Sequence, residues 1–328
     1  MLKKLYVELS SACNFSCRMC FRNNWFDERI GLMSDETVEI LKENIKAGSF
    51  ETVFFGGMGE PLMHPRLAEL VAFSHNLGKR TEIITNASLL TKEMSKNLIK
   101  SGLDCLWVSM DGFSKESYEK IRYGSIFELI MKNLSDFNAV RNNTSLGITF
   151  VIMKENEHEL KNINSFKDSI KADIINLSHV VPGAPVKQED TIYDKSYNIG
   201  KMERFTENGN AKKQNFCPFI EDKVSFVRFD GGVFPCMQLL HNSYTYLYTE
   251  KRKIYSKSFG SILNKSLDDI WNDTEYVEFR KKVSDFEFPC CTICLGCEDR
   301  LENKKDCMYN DTPTCGGCLW AQGIIRCP

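Results

Sequence analysis

The sequence predicts an α/β protein in two parts, six β/α units forming a parallel sheet and then a small cysteine-rich segment. Three observations carry that prediction. Short apolar runs alternate with helix-period segments over residues 1–182. The alternation stops after Pro182-Gly183-Ala184-Pro185. The 14 cysteines of the 328-residue chain are unevenly placed, with three in the first 20 residues and ten from Cys217 onward. Strand–helix alternation argues for parallel strands joined by helical crossovers. Six units fit either an incomplete barrel or an open doubly wound sheet, and periodicity does not choose between them.

The first strand is Leu5–Leu9, an apolar run that leads into the first cysteines. Ser34 stands as an N-cap, with Thr37 where a capping box would place Glu or Gln, and Val38, Leu41 and Ile45 keep a helical spacing. Thr52–Phe55 reads as a strand ending on Gly56-Gly57, and Arg66–Asn76 as a helix stopped by Gly78. Thr81–Thr85 is the next strand, Lys92–Lys100 a helix stopped by Gly102, and Asp104–Met110 a strand closing on Asp111-Gly112. Helical sequence fills Lys115–Arg141, followed by strand Leu146–Met153, helix Glu157–Ile170 and strand Asp173–Val181. Cys105 lies among apolar strand residues and reads as core.

Residues 183–214 are polar with little periodicity and read as a linker. Beyond it, Val224–Phe229 and Val233–Cys236 flank Asp230-Gly231-Gly232, a hairpin with a glycine turn, and Leu267–Val283 reads as one helix. From Pro289 onward there are eight cysteines and almost no periodicity. Such a tail is expected to build no apolar core, so ligation must offset its ordering entropy. The expected domains are 1–182, 183–214 and 215–328.

The balance of 42 Lys+Arg against 44 Asp+Glu gives a net charge of −2, which excludes the basic footprint of a nucleic-acid binder. No apolar stretch is long enough to span a membrane, and the N-terminal apolar run is broken at Glu8, unlike a secretory signal. A cytoplasmic chain of this size needs no disulfide staples, so clustered cysteines read as metal or cluster ligands.

Cys13, Cys17 and Cys20 are spaced C-x3-C-x2-C in the loop after the first strand. Three thiolates on one short loop can hold three irons of a cubane cluster and leave the fourth open to a substrate or cofactor. A structural zinc site would want four protein ligands. This loop, in the first unit of a β/α repeat, resembles that of the radical S-adenosylmethionine (SAM) enzymes, although Met19 stands where the family usually has an aromatic residue. The resemblance implies a partial (β/α)6 barrel and a [4Fe–4S] cluster that reductively cleaves SAM to a 5′-deoxyadenosyl radical. It assigns Cys13, Cys17 and Cys20 as cluster ligands and catalytic centre. Gly56-Gly57-Met58-Gly59-Glu60-Pro61 is similar to the family's segment for the SAM amino group, with one extra residue. Ser109, Asp111 and Arg122 match positions for ribose and carboxylate contacts. Asn86 after the third strand and Asn156 after the fifth are weaker candidates.

Cys217, Gly231 and Cys236 form C-x13-G-x4-C, followed by Cys290, Cys291, Cys294, Cys297, Cys307, Cys315, Cys318 and Cys327. This resembles the SPASM extension, a small Fe–S domain that carries one or two auxiliary [4Fe–4S] clusters. On that likeness Cys217, Cys236, Cys294, Cys297, Cys315, Cys318 and Cys327 are the expected ligands, with Cys290, Cys291 and Cys307 surplus or substitutes. A zinc ribbon is the competing reading of the tail alone. Members with this extension mostly modify peptides, proteins or enzyme-bound cofactors, and draw electrons from a reductant such as ferredoxin or flavodoxin. Met237 occupies the place of the Asp base of Ser/Cys oxidisers, which argues against that activity. The ending resembles a subgroup associated with maturation of tungsten-pterin aldehyde oxidoreductases. The alternative is a non-catalytic Fe–S or zinc protein for electron transfer or scaffolding.

Overall fold

The structure, a computed structural model, describes residues 1–185, 215–294 and 296–325. Cys327 and residues 186–214 of the expected linker lie outside the described residues. Six parallel strands are present: β1 (Lys4–Val7), β2 (Thr52–Phe55), β3 (Arg80–Thr85), β4 (Cys105–Ser109), β5 (Ser145–Ile152) and β6 (Ile174–His179). They neighbour one another in chain order, with no reversal. A doubly wound sheet reverses its strand order at a switch point. Consecutive order instead keeps every right-handed crossover on one side, so the unit is a partial barrel.

The helices between the strands are α1 (Asp35–Ala47), α2 (Leu67–Asn76), α3 (Lys92–Lys100), α4 (Lys115–Ile121), α5 (Phe127–Val140) and α6 (Ile163–Ser169). The Ser34 side chain accepts from the Thr37 amide at 3.1 Å, and Val38, Leu41 and Ile45 form the buried stripe of α1. Gly78 and Gly102 follow α2 and α3 at φ 74° and 83°, a region that costs other residues a Cβ clash. The helical sequence over Lys115–Arg141 forms two helices, separated where Gly124 takes φ 89°. Inside the barrel, Phe54, Cys105 and Trp107 pack together, and Glu82 is paired with Lys4 and Arg80.

The C-terminal part joins this sheet directly. After α7 (Pro218–Glu221), strand β7 (Val224–Val227) pairs parallel to β1, with Lys4 opposite Val224 and Val7 opposite Val227. Strand β8 (Val233–Phe234) turns back antiparallel through the predicted glycine turn. A second hairpin, β9 (Ser243–Leu247) and β10 (Glu250–Ile254), was not expected from sequence. The helix expected over Leu267–Val283 is two, α8 (Leu267–Trp271) and α9 (Thr274–Ser284). Asp273 caps the second by accepting from the Glu275 amide.

The tail also departs from expectation. Leu319, Trp320 and Ile325 are buried in the main core, and the Trp320 ring lies 6.2 Å from Phe21 and 6.3 Å from Phe219. These few apolar residues are spaced without a helical or strand period, which hides them in the sequence. Burial therefore helps to hold the tail, contrary to the expectation that ligation alone must.

Phe226 on β7 is fully buried and stacks on Tyr6 at 4.6 Å. Phe226→Ala should cost about 3–5 kcal/mol and lower one shared melting transition. A barrel that melts unchanged in this variant, followed by thermal unfolding with limited proteolysis, would mean that β7 is not part of its fold.

Candidate functional site

Because the strands are parallel, their carboxyl ends share one rim, and the loops there carry the predicted residues. The loop after β1 holds Cys13, Cys17 and Cys20. Cys13 Sγ accepts from the Phe15 amide at 3.4 Å and from Asn86 Nδ2 at 3.7 Å. Cys17 Sγ accepts from Arg122 Nη1 at 3.8 Å. Burial pushes the Cys17 thiol up to about 11, opposed by the charge of Arg122, and burial also raises Cys20. Among the described residues no three Cys, His or carboxylate side chains stand close enough to share a single metal ion. The thiols are gathered on the rim with donors aimed at two of their sulfurs. A thiolate cluster ligand favours such donors.

The Gly56–Pro61 loop is zipped onto the start of the cysteine loop. The Gly56 amide donates to the Val7 carbonyl and the Glu60 amide to the Ala12 carbonyl. A Cβ on Gly59 would sit 2.1 Å from the Ser10 carbonyl oxygen, so only glycine allows this approach. The extra residue, Met58, donates its amide to Glu8 Oε1 at 2.8 Å. Glu60 is 2% exposed. Its oxygens accept from Leu62 N, Thr85 Oγ1 and Asn86 N at 3.1, 2.7 and 2.8 Å. Burial raises its pKa, and these hydrogen bonds pull the other way. Glu60 thus braces the loop from behind. Asn86 joins both halves of the site, since its backbone holds Glu60 and its side chain reaches Cys13.

At the end of β4, Ser109 accepts from Thr149 Oγ1 at 3.4 Å. Asp111 is fully buried and pairs with Arg122 Nη2 at 2.6 Å. Arg122 is buried as well, so it is no solvated helix arginine. Asn156 donates to the Asp111 and Val151 carbonyls, which makes it a strut between β4 and β5. Three buried polar atoms here have no hydrogen-bond partner, Tyr118 Oη, Arg122 Nε and Asp111 Oδ2, the last meeting Arg122 Nη2 only as an ion pair. Unpaired polar atoms beside the thiols are costly unless a polar ligand meets them. Tyr118 was not singled out from sequence, where it is one aromatic on an amphipathic helix.

The second cysteine set resolves into two groups. Burial raises the pKa of Cys217, up to about 12, and of Cys236, Cys315 and Cys318; the charge of Cys318 adds to the first three, and that of Cys217 to Cys236 and Cys315. Cys236, Cys315 and Cys318 line one cavity with Arg252 and Leu319. Cys291, pushed up to about 11 by burial, feels Cys294 and Cys307. Cys290 instead hydrogen-bonds Gln322 Oε1 at 3.0 Å. Cys297 is half-buried at the start of a short turn, and no disulfide joins the described cysteines.

Arg252 on β10 stands between the two groups. It is 4% exposed, and it donates to the carbonyls of Arg300 and Gly317. No carboxylate pairs with it among the described residues, and the charges acting on it are those of Cys318 and Cys291. A buried guanidinium without an anion is costly, so this arrangement fits anionic thiolate clusters on either side.

Comparisons with known proteins agree with this geometry. Residues 7–166 match the radical SAM superfamily, and residues 217–298 match SPASM, an iron–sulfur cluster-binding domain. A tungsten-containing aldehyde ferredoxin oxidoreductase cofactor-modifying protein of Pyrococcus furiosus is 32% identical over all of this chain and 97% of its own length. An Fe-coproporphyrin III synthase of Methanosarcina barkeri is 28% identical over 57% of this chain and 47% of its own. Among solved structures, anSMEcpe with bound AdoMet and the Cp18Cys peptide aligns at TM-score 0.61 and 17% identity, over 98% of this chain and 95% of its own. Streptococcus suis SuiB bound to S-adenosylmethionine aligns at TM-score 0.61 and 18% identity, over 90% and 71%.

Arg252→Met should weaken the iron-loaded protein more than the iron-stripped one, by about 2 kcal/mol, because only the loaded form has anions for the guanidinium to neutralise. Anaerobic melting of both forms of both proteins measures the difference, and equal losses would remove Arg252 from the electrostatics of the cysteines.

Proposed function

The chain belongs to the radical SAM superfamily and carries a SPASM iron–sulfur domain, and from that premise we propose that it modifies an enzyme-bound cofactor or a protein during maturation of a tungsten-containing oxidoreductase. The observation that carries the reading is the junction at Asn86. One residue there ties the thiol loop to the glycine loop, so a cluster held by Cys13, Cys17 and Cys20 and a SAM amino group at Gly56, Gly57, Gly59 and Glu60 would be neighbours. The full-length likeness to the cofactor-modifying protein supports the substrate class.

When bound, the cluster supplies the electron that cleaves SAM reductively to the 5′-deoxyadenosyl radical. The chain's own residues do the rest. The Gly56–Pro61 backbone would receive the amino group, with Glu60 holding that backbone rigid. Arg122, with one nitrogen on Asp111 and another unpaired, would meet the carboxylate, and Ser109 would lie near the ribose. Tyr118 Oη offers a further donor to the same volume. Cys217, Cys236, Cys315 and Cys318 would hold one auxiliary cluster. Cys291, Cys294 and Cys307 would contribute to another, with Cys297 and Cys327 as further ligand candidates. A ferredoxin or flavodoxin donor and a cytoplasmic location go with this reading. No described helix is long and apolar enough to cross a membrane.

Changing Cys13, Cys17 and Cys20 together to Ala should abolish 5′-deoxyadenosine formation under dithionite while the auxiliary iron remains. Activity in the triple variant would refute the site, and loss of all iron would refute the division of cysteines. Glu60→Ala should weaken SAM binding about tenfold, as expected when charge-assisted hydrogen bonds that brace the loop are lost. Co-expression of a tungsten oxidoreductase with and without this protein, with its cofactor read by mass spectrometry, tests the substrate. An identical cofactor in both preparations would reject the maturation role.

A further inference from the structure

His241 lies five residues after Cys236, in the C-terminal part, yet its contacts are with the barrel. It is 2% exposed, and its ring stacks on Trp25 at 4.0 Å. Nε2 lies 2.9 and 3.1 Å from the two oxygens of Glu8, and Nδ1 lies 2.9 Å from Glu28 Oε2. An ionised carboxylate only accepts, so both ring nitrogens must carry hydrogen and the ring is an imidazolium. Burial acts to lower its pKa. The hydrogen bonds it donates to Glu28 and Glu8, with their charges, outweigh burial and leave it above the usual 6.5.

Both carboxylates do further work. Glu28 Oε1 accepts from the Asn242 amide at 2.7 Å, and Glu28 also faces Arg228 at 3.6 Å, itself paired with Asp230 at 2.6 Å. Glu8 Oε1 accepts from the Met58 amide, and the Glu8 side chain lies where a Cβ on Gly57 would be, 2.6 Å from Glu8 Cγ. Contacts therefore run from residue 241 through residue 8 to residue 58, the middle of the Gly56–Pro61 loop.

We propose that His241 is a positioning residue for SAM binding: clamped between Glu8 and Glu28, it fixes the Glu8 carboxylate, which in turn fixes the Met58 amide and the shape of the glycine loop. This rests on the reading of that loop as the SAM amino-group site. The C-terminal part then does more than hold clusters, since it supplies the cation that sets the cofactor loop. A neutral His241 would turn a lone pair toward a buried carboxylate, and the clamp would open. The contribution is complete while the ring is protonated and is lost as pH rises through its elevated pKa.

The test is SAM affinity of iron-reconstituted wild type, His241→Gln and Glu60→Ala from about pH 6.5 to about pH 9.5. The amino group of free SAM titrates at about 8 whichever protein is present, so the readout is the ratio of each variant to wild type. His241→Gln should bind about tenfold more weakly at the acid end, and the ratio should close toward one at the alkaline end. Weakened binding in Glu60→Ala with a His241→Gln ratio that is one, or constant with pH, would overturn the role of His241 alone. Unchanged affinity in Glu60→Ala would overturn the reading of the loop instead. Amide hydrogen exchange of wild type, corrected for intrinsic rate, gives a second measure should His241→Gln fail to fold. The peptide containing Met58 should lose protection across the same interval while Val53–Phe55 keeps it. Unchanged protection at Met58 would count against the proposal.

Discussion

Strand β1 is paired along its whole length on both sides, to β2 from the barrel and to β7 from the C-terminal part, both parallel. This double pairing is the constraint on which the rest of the molecule depends. A parallel ladder fixes register and direction together, so the end of β1 is also the end of β2 and of β7. The cysteine loop, the glycine loop and the Asp230-Gly231-Gly232 turn therefore leave the sheet at one edge, while β8 carries the chain back antiparallel toward Cys236. Glu8 and Gly56 extend the two ladders by one residue each, bonding to Val227 and Val7. The proposed cofactor site is built on the last rungs of the sheet rather than on free loops, which gives it the rigidity that binding geometry requires.

Buried charge is the second theme. Glu82 with Lys4 and Arg80 fills the barrel floor, Asp111 with Arg122 lies at the rim, and Glu8 and Glu28 hold His241 beneath the C-terminal part. Each of these carboxylates has its cation in the chain. Arg252 breaks the pattern, since among the described residues no carboxylate pairs with it and the charges acting on it are those of Cys318 and Cys291. Breaking the Asp111–Arg122 or Glu8–His241 pair, buried on both sides, would leave an uncompensated charge in low dielectric, at a cost of about 3–5 kcal/mol. The unmatched charge sits beside the cysteines, where an anionic cluster would complete it.

Much of this was legible in the sequence, and the limits have physical causes. Thr52–Phe55 and Lys92–Lys100 have the predicted bounds because a strong apolar period ends in both cases on glycine or a capping residue. The C-x3-C-x2-C spacing and the six-unit alternation led to the family. Hairpin β9–β10 was missed because its buried residues include Ser243, Thr245 and Arg252, so the alternation of faces does not appear as an alternation of hydropathy. The His241 clamp was invisible for a different reason. Residues 8, 28 and 241 meet only through tertiary contacts, and no local pattern distinguishes a clamped histidine from a surface one. The grouping of Cys315 and Cys318 with Cys217 and Cys236 is likewise a matter of chain path, which spacing does not encode.

The return of the tail has a consequence for how the protein is made. The Phe216 amide donates to the Ala321 carbonyl, so the last described segment closes back on the first residues of the C-terminal part. Cys217 and Cys236 leave the ribosome far ahead of Cys315 and Cys318, while domains fold from the N-terminal end as synthesis proceeds. Strands β1–β6 and the three rim thiols emerge before β7 closes on β1, and the four-thiol group cannot gather until Cys318 has emerged. With the proposed ligands, the rim thiols are therefore together well before the four thiols of the second group can meet. A nascent chain stalled near residue 300 would hold half of that second site as unpaired, oxidation-prone thiols.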